Sequence, residues 1–310
     1  MNLDERDAVA TQFGVATEQV ERDHLISHLL AFLSREFGDR IEFIGGTALA
    51  RTHLPDGRLS EDIDLIALGD RKRVAQDLDA SLPRAVARSH GRLTVEPALS
   101  SITDTLPVLL RPADGQPIRL QLLSSRDRVL WPTECRALVQ RYADAPPAEL
   151  PVPTLPAFAA SKTATWADRH AARDLWDLWA LNEIGAIDPA AAGLFRRFGP
   201  TNKHPADYLF RSAPSDADWQ AQLAGQTRLT VSAKDALHAV RAAWRNAISC
   251  SHDADDGEII RQAVFSARCP SNQKALGSVP VDLRVTPPGE ELLGRLTRQV
   301  TLPTKRENPP

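Results

Sequence analysis

The stretch Arg40-Ile41-Glu42-Phe43-Ile44-Gly45-Gly46-Thr47-Ala48-Leu49, followed past a turn by Arg58-Leu59-Ser60-Glu61-Asp62-Ile63-Asp64-Leu65, decides how this chain is read. Residues 40–44 are short, rich in β-branched and aromatic side chains and closed by two glycines, which predicts a strand entering a tight turn. A helix is expected from Thr47 to about Leu54. Gly45 and Gly46 allow a backbone to approach a phosphate, and the helix start beyond them offers unpaired N–H groups and the positive end of a dipole. The Thr47 hydroxyl adds a donor there. After the turn Pro55-Asp56-Gly57, residues 62–68 read as a second strand. Side chains at i and i+2 leave a strand on the same face, so Asp62 and Asp64 point together. Two carboxylates that close repel unless a cation lies between them, and their hard oxygens suit Mg2+ (or Mn2+) bound together with substrate phosphates. Metals so held activate an attacking oxygen and stabilise leaving pyrophosphate. Ser60, two residues before Asp62, is a further candidate contact to the nucleotide. A glycine pair or a DxD alone is a weak signal; both together in strand–turn–helix and then strand context are specific enough to predict a nucleotidyl-transfer site.

At these residues the chain resembles the AbiEii/AbiGii family of nucleotidyltransferase toxins from bacterial toxin–antitoxin and abortive-infection systems. A second matching stretch follows downstream. A helix expected to begin at Leu155 carries Lys162, followed by Arg169 and by Arg173-Asp174-Leu175-Trp176-Asp177-Leu178, the order of lysine, arginine and RDLYDL-like segment that the family shows. The resemblance covers residues 20 to 185. It implies an α+β (mixed α/β) fold, a polymerase-β-like nucleotidyltransferase core followed by a helical domain. It further implies an NTP substrate with a divalent cation, an RNA acceptor with tRNA the expected class, and a cognate antitoxin encoded separately. Carried onto this sequence, it makes Asp62 and Asp64 catalytic metal ligands, brings Lys162 to the triphosphate and adds Asp174 to the catalytic set. Asp174 shares a helical face with Leu178 and Leu181, at i, i+4 and i+7, and is expected to point inward; Asp177 lies near that face.

One departure from related enzymes stands out. Many nucleotidyltransferases carry a third carboxylate on a later strand, and the candidate strand here, residues 117–123, offers Gln121. Either two aspartates suffice, or another carboxylate such as Glu96 reaches the site.

With 310 residues and 43% hydrophobic content the chain can bury a sizeable core, and two domains are expected. The proline-rich run 144–151 places the boundary: 1–145 as the nucleotidyltransferase core with its N-terminal helix, 152–268 as a helical domain, and 269–310 as a proline-rich, partly irregular tail. A formal net charge of -3 excludes a uniformly basic coat for nucleic acid, so RNA contact must be local. Arg196, Arg197, Lys203, His204 and Arg211 are candidates for such a groove, although an ordinary solvated face is the simpler expectation. Cys135, Cys250 and Cys269 are few and widely spaced, which predicts unpaired thiols in a reducing cytosol. No apolar stretch approaches the roughly 20 residues of a membrane span, and a cytoplasmic protein without membrane contact is expected.

Helical periodicity predicts helices over residues 16–37, 71–88 with an interruption near Pro83, 154–168, 171–184, 189–198, 205–210, 217–223 and 233–248, with a short one near 290–298. Residues 106–111 and 117–123 predict a hairpin around Ala113-Asp114-Gly115. Trp166, Trp176 and Trp179 are read as helical core, not as base-stacking platforms. His24, His28 and His53 show no metal-ligand pattern. Two other functions compete with RNA modification: nucleotidyl transfer to a small molecule, as in antibiotic-modifying enzymes, and NTP sensing without turnover.

Overall fold

The computed structural model describes residues 1–126, 128–251 and 269. By contacts the chain divides into Met1–Gln273 and Lys274–Pro310, and every described residue belongs to the first unit. The helix expected near 290–298, and the expected tail apart from Cys269, lie outside the described residues.

The two expected strands form as β1 (Ile41–Ile44) and β2 (Asp62–Ala67), paired antiparallel with Ile44 opposite Asp64. Short strands β3 (Thr94–Glu96) and β4 (Val108–Arg111) and the longer β5 (Ile118–Ser124) complete a five-stranded sheet in the order β1-β2-β5-β4-β3. The expected hairpin is the antiparallel β4–β5 pair, whereas β2 and β5 run parallel. Parallel pairing needs a crossover, and the chain between them supplies α4 (Arg71–Ser81), capped by the Asp70 side chain on the N–H groups of Lys72 and Arg73. α4 stops where Pro83 enters a 3-10 turn, Leu82–Arg84, at the interruption the sequence predicts.

α2 (Thr17–Phe37) shares the sheet's core, with Ile26, Leu29, Leu30 and Leu33 fully buried. The helix α1 (Leu3–Phe13) was not expected. Its signal is a capping box: the Asn2 side chain accepts from the Glu5 N–H while the Glu5 carboxylate accepts from the Asn2 N–H, and left-handed Gly14 ends the helix.

The proline-rich run expected to separate two domains is partly a strand. β7 (Glu149–Pro153) pairs antiparallel with β6 (Thr133–Ala137), and its Leu150 and Val152 are fully buried. Prolines fit here because a two-stranded ribbon leaves one edge of each strand unpaired. Beyond it run α5 (Leu155–Arg169), α6 (Ala172–Glu183), α7 (Pro189–Phe198), α8 (Asp216–Leu223) and α9 (Ala233–Ser251). One cluster of buried apolar side chains runs from Phe43 and Leu65 through Leu150 to Leu178 and Trp244, so the expected boundary falls inside a shared core. Trp166 and Trp176 are buried in that core and Trp179 packs against it. The expected helix at 205–210 is a 3-10 turn, Asp207–Phe210.

The expectation of unpaired cysteines is corrected for two of the three. Cys135 and Cys269 form a disulfide with a Cα–Cα distance of 5.2 Å, while Cys250 is free and exposed. Their separation of 134 residues carries no pairing information; only the fold brings them together.

α3 (Gly45–Arg51) ends in a buried ion cluster that holds the first motif against α2. The Arg51 guanidinium, 1% exposed, donates to the Asp23 carboxylate at 2.7 Å and to the carbonyls of Asp23 and Val139 at 2.9 Å each. Tyr142 donates its hydroxyl to the other Asp23 oxygen at 3.0 Å. Burial lowers the Arg51 pKa to about 10, although Asp23 pulls the other way. Asp23→Ala is expected to cost about 3–5 kcal/mol in urea unfolding, because it strands a buried guanidinium. A loss below about 1 kcal/mol would mean that Arg51 finds water instead.

Candidate active site

Alternation along β2 buries Ile63 and Leu65 and turns Asp62 and Asp64 to the opposite face, into a cleft of about 700 Å³. Gly45, Gly46, Ser60 and Lys162 line the same cleft. Thr47 does not. Its hydroxyl is buried and donates to the Asp62 carbonyl, so it steadies the strand that carries the aspartates.

The glycines make room for side chains of the site itself. Gly45 has φ +81°, and a Cβ there would lie 2.4 Å from Asp64 Oδ2. A Cβ on Gly46 would lie 2.5 Å from Arg58 Nη2. Any larger residue would push Asp64 or Arg58 out of place.

The two aspartates differ in their partners. Asp62 accepts a bidentate pair from Arg119, at 2.9 Å from Nε and 3.1 Å from Nη2, because the parallel register sets Arg119 beside it on β5. Among the described residues the Asp64 carboxylate has no hydrogen-bond or ion-pair partner. Burial first, then the charge of Asp62, raise its pKa to about 6. A desolvated, unpartnered carboxylate beside a second one, in an oxygen-rich pocket, fits a hard divalent cation. Gln121 stands opposite Asp64 on β5. Glu96 lies on the far edge strand β3 and does not line the cleft, whose third carboxylate is Asp168 at the end of α5.

The second motif forms the facing wall. Lys162 on α5 places Nζ 2.6 Å from Asp177 Oδ2 and 3.5 Å from Asp174 Oδ1. Asp174, fully buried on α6 and behind the lining, is held by Arg169 through bonds of 2.6 and 2.9 Å. Asp177 is the hub. It accepts Arg58 Nε at 2.8 Å and Nη2 at 2.9 Å as well as Lys162. Burial raises the Asp177 pKa, but Arg58 and Lys162 outweigh it and leave the carboxyl well below its ordinary value. Arg58 also donates to Gln226 at 2.6 Å, and Thr227 donates to the Gly57 carbonyl at 2.9 Å, so the segment after α8 clasps the turn leading into β2.

Among the described residues six basic side chains, Arg58, Arg119, Arg128, Lys162, Arg169 and Arg173, and three carboxylates line the cleft. That surplus suits a polyanion such as a triphosphate. Sequence reading did not single out Arg58, Arg119 or Gln226 for the site. Arg58 stood inside the first motif, whereas the other two carried no local signal. It also missed Trp131 and Phe198, which line the cleft with ring centroids 5.9 Å apart.

Two expectations follow. Asp177→Ala takes from the buried Arg58 and Lys162 the carboxylate they share, leaving only Gln226 beside Arg58 and Asp174 at 3.5 Å from Lys162, and is expected to destabilise the fold by about 3 kcal/mol or more in chemical unfolding. Asp64 behaves oppositely. Its folded pKa lies above the ordinary 3.8, so the stability it contributes is complete below that value and is lost as pH rises to about 6. Without metal, Asp64→Asn is therefore expected to raise Tm at pH 7.5 by roughly 2–3 °C, the scale of about 1–2 kcal/mol in a chain of this size. The gain shrinks towards zero at pH 4, and an equal gain at both pH values would rule out Asp64 ionisation as its source.

The nucleotidyl transferase AbiEii toxin family of type IV toxin–antitoxin systems matches residues 29–249. Among solved structures, MenT4, a nucleotidyltransferase toxin of Mycobacterium tuberculosis, is 25% identical with a TM-score of 0.56, over 84% of this chain and 93% of that one. A protein of H. pylori described as a nucleotidyltransferase is 14% identical with a TM-score of 0.47, over 78% of this chain and 99% of that one. No curated protein matches. With its mixed α/β fold and the match across most of its length, this chain belongs to the AbiEii family of nucleotidyltransferase toxins.

Proposed function

We propose that this chain transfers nucleotides from an NTP to an RNA, of the tRNA class, in a reaction that requires Mg2+ or Mn2+, and that a separately encoded antitoxin restrains it. One observation carries the reading: Asp62 and Asp64 project together into a cleft whose other charged walls are mainly basic. Asp62 and Asp64 would hold the cation, which when bound supplies charge for the triphosphate and for the attacking oxygen.

The protein's own groups divide the remaining work. Lys162, kept in place by Asp177 and Asp174, sets a compact positive charge towards the phosphate tail. Arg169, Arg173 and Arg128 extend that wall. Arg119, which donates to Asp62 through Nε and Nη2 and lines the cleft, adds a guanidinium beside the position the cation would take and within the wall that would receive the phosphates. Trp131 and Phe198 offer apolar faces for a base. With Gln121 opposite Asp64, proton removal from the acceptor falls to the aspartate pair or to Asp168. The RNA acceptor and the antitoxin rest on kinship with toxins. No described helix is long and apolar enough to cross a membrane; the proposed place of work on RNA is the cytoplasm. The division of labour proposed is a strand-built core over 1–145 that holds the cation and, within the part expected over 152–268, the described helices α5 and α6, whose Lys162, Arg169 and Arg173 hold the phosphates.

The test is incubation of the pure protein with labelled NTPs, total RNA and Mg2+ or Mn2+, followed by sequencing of RNA 3′ ends. Label is expected in tRNA 3′ ends, with Asp62→Asn and Asp64→Asn below about a tenth of wild-type transfer. Lys162→Ala is expected to lose NTP use and transfer together, and Lys162→Arg to recover part of both. Metal-independent transfer, full activity in both aspartate variants, or label confined to small molecules would overturn the reading.

A further inference from the structure

Away from the cleft, three histidines meet. His24 and His28 stand at i and i+4 on α2, so their rings leave the same face of the helix. His90 reaches them from the turns after Leu82–Arg84, and Asp144 from the loop before β7. One ring nitrogen of each histidine lies within 4.8 Å of the others. His24 Nε2 is 3.2 Å from His28 Nε2 and 3.0 and 3.1 Å from the two Asp144 carboxylate oxygens. His24 Nδ1 is 2.9 Å from His90 Nε2, and His28 Nε2 is 3.8 Å from Asp144 Oδ2. The N-terminal amine of Met1 also contacts Asp144. None of the four side chains lines the cleft.

Protons alone satisfy this group poorly. A neutral imidazole carries one N–H. Placed on His24 Nε2, it faces both Asp144 oxygens and His28 Nε2, three acceptors for a single hydrogen. One cation in that position would meet the convergent lone pairs together. Tetrahedral Zn2+ with bonds of about 2.0–2.1 Å spaces its ligand atoms about 3.3 Å apart, inside the range seen around His24 Nε2 and Asp144. Burial first, then the neighbouring histidines, hold the His28 and His90 pKa values below the ordinary imidazole range, His90 at about 4, so both offer lone pairs at neutral pH. Imidazole nitrogens with one carboxylate favour Zn2+ and its transition-metal neighbours over Mg2+.

We propose that His24, His28, His90 and Asp144 form a site for one transition-metal ion of the Zn2+ class, separate from the catalytic cation. His90 completes the set by leaving His24 Nδ1 for the ion. Four protein ligands make the site closed, hence structural. The ion clips α2 to the turns before β3 and to the loop before β7, segments far apart in sequence.

The full chain, stripped with a chelator, is titrated with Co2+ and then Zn2+. One equivalent of Co2+ is expected to give the intense visible bands of tetrahedral coordination, displaced by Zn2+, with a rise in Tm. The bands and the rise persist in an Asp62→Asn/Asp64→Asn double variant and in the control His238→Gln. His28→Gln and His90→Gln, which alter half-buried rings, lose the bands and bind Zn2+ at least about tenfold more weakly. Three results overturn the site: no tetrahedral bands in the wild type, bands unchanged in His28→Gln and His90→Gln, or bands lost in the double variant. Because the readout is spectroscopic and survives loss of the catalytic aspartates, its failure is distinct from failure of the proposed transfer.

Discussion

The interaction on which the site depends is the burial of Asp177 between Arg58 and Lys162. One carboxylate fixes two cations from opposite sides of the cleft, Arg58 from the turn before β2 and Lys162 from α5. Asp174 extends the chain of charges to Arg169 and touches Lys162 from behind. Removing Asp177 takes the shared carboxylate from two buried cations, which costs far more than an exposed pair contributes. The helical part is thereby bound to the strand that carries the aspartates by charge as well as by apolar packing.

That network also explains the glycines. Gly45 and Gly46 approach Asp64 and Arg58 so closely that a Cβ could not fit, so the turn between β1 and α3 is shaped around the side chains of the site. The aspartates in turn are held unequally. Asp62 has Arg119, while Asp64 is desolvated and has no hydrogen-bond or ion-pair partner among the described residues. Strain of this kind is tolerated because Arg51 and Asp23, deep under α3, anchor the motif to α2.

Much of this was legible in the sequence where the signal is local. The strand at 40–44, the common face of Asp62 and Asp64, the inward direction of Asp174 and the break at Pro83 all follow from fixed periods or from proline's missing donor. The strand β7 was not legible because prolines mask a strand that uses only one edge. Helix α1 was hidden by its weak apolar periodicity, although its cap was written in Asn2 and Glu5. Lys162 and Asp174 were singled out by their order along the chain, and Asp177 was ranked below Asp174. A helical wheel shows that Asp177 points near the core and cannot show that Arg58 waits there.

The sequence by itself therefore determined the strand that carries Asp62 and Asp64, the helices and the family, since each rests on residues within a turn or two of one another. Tertiary structure decided everything that needs a partner from elsewhere. It chose Arg119 for Asp62, Gln226 for Arg58, Cys269 for Cys135, and His90 with Asp144 for the i, i+4 pair His24 and His28. Such pairings depend on register and packing, and a charge or an imidazole has no periodicity that reveals which distant group will lie within hydrogen-bond reach of it.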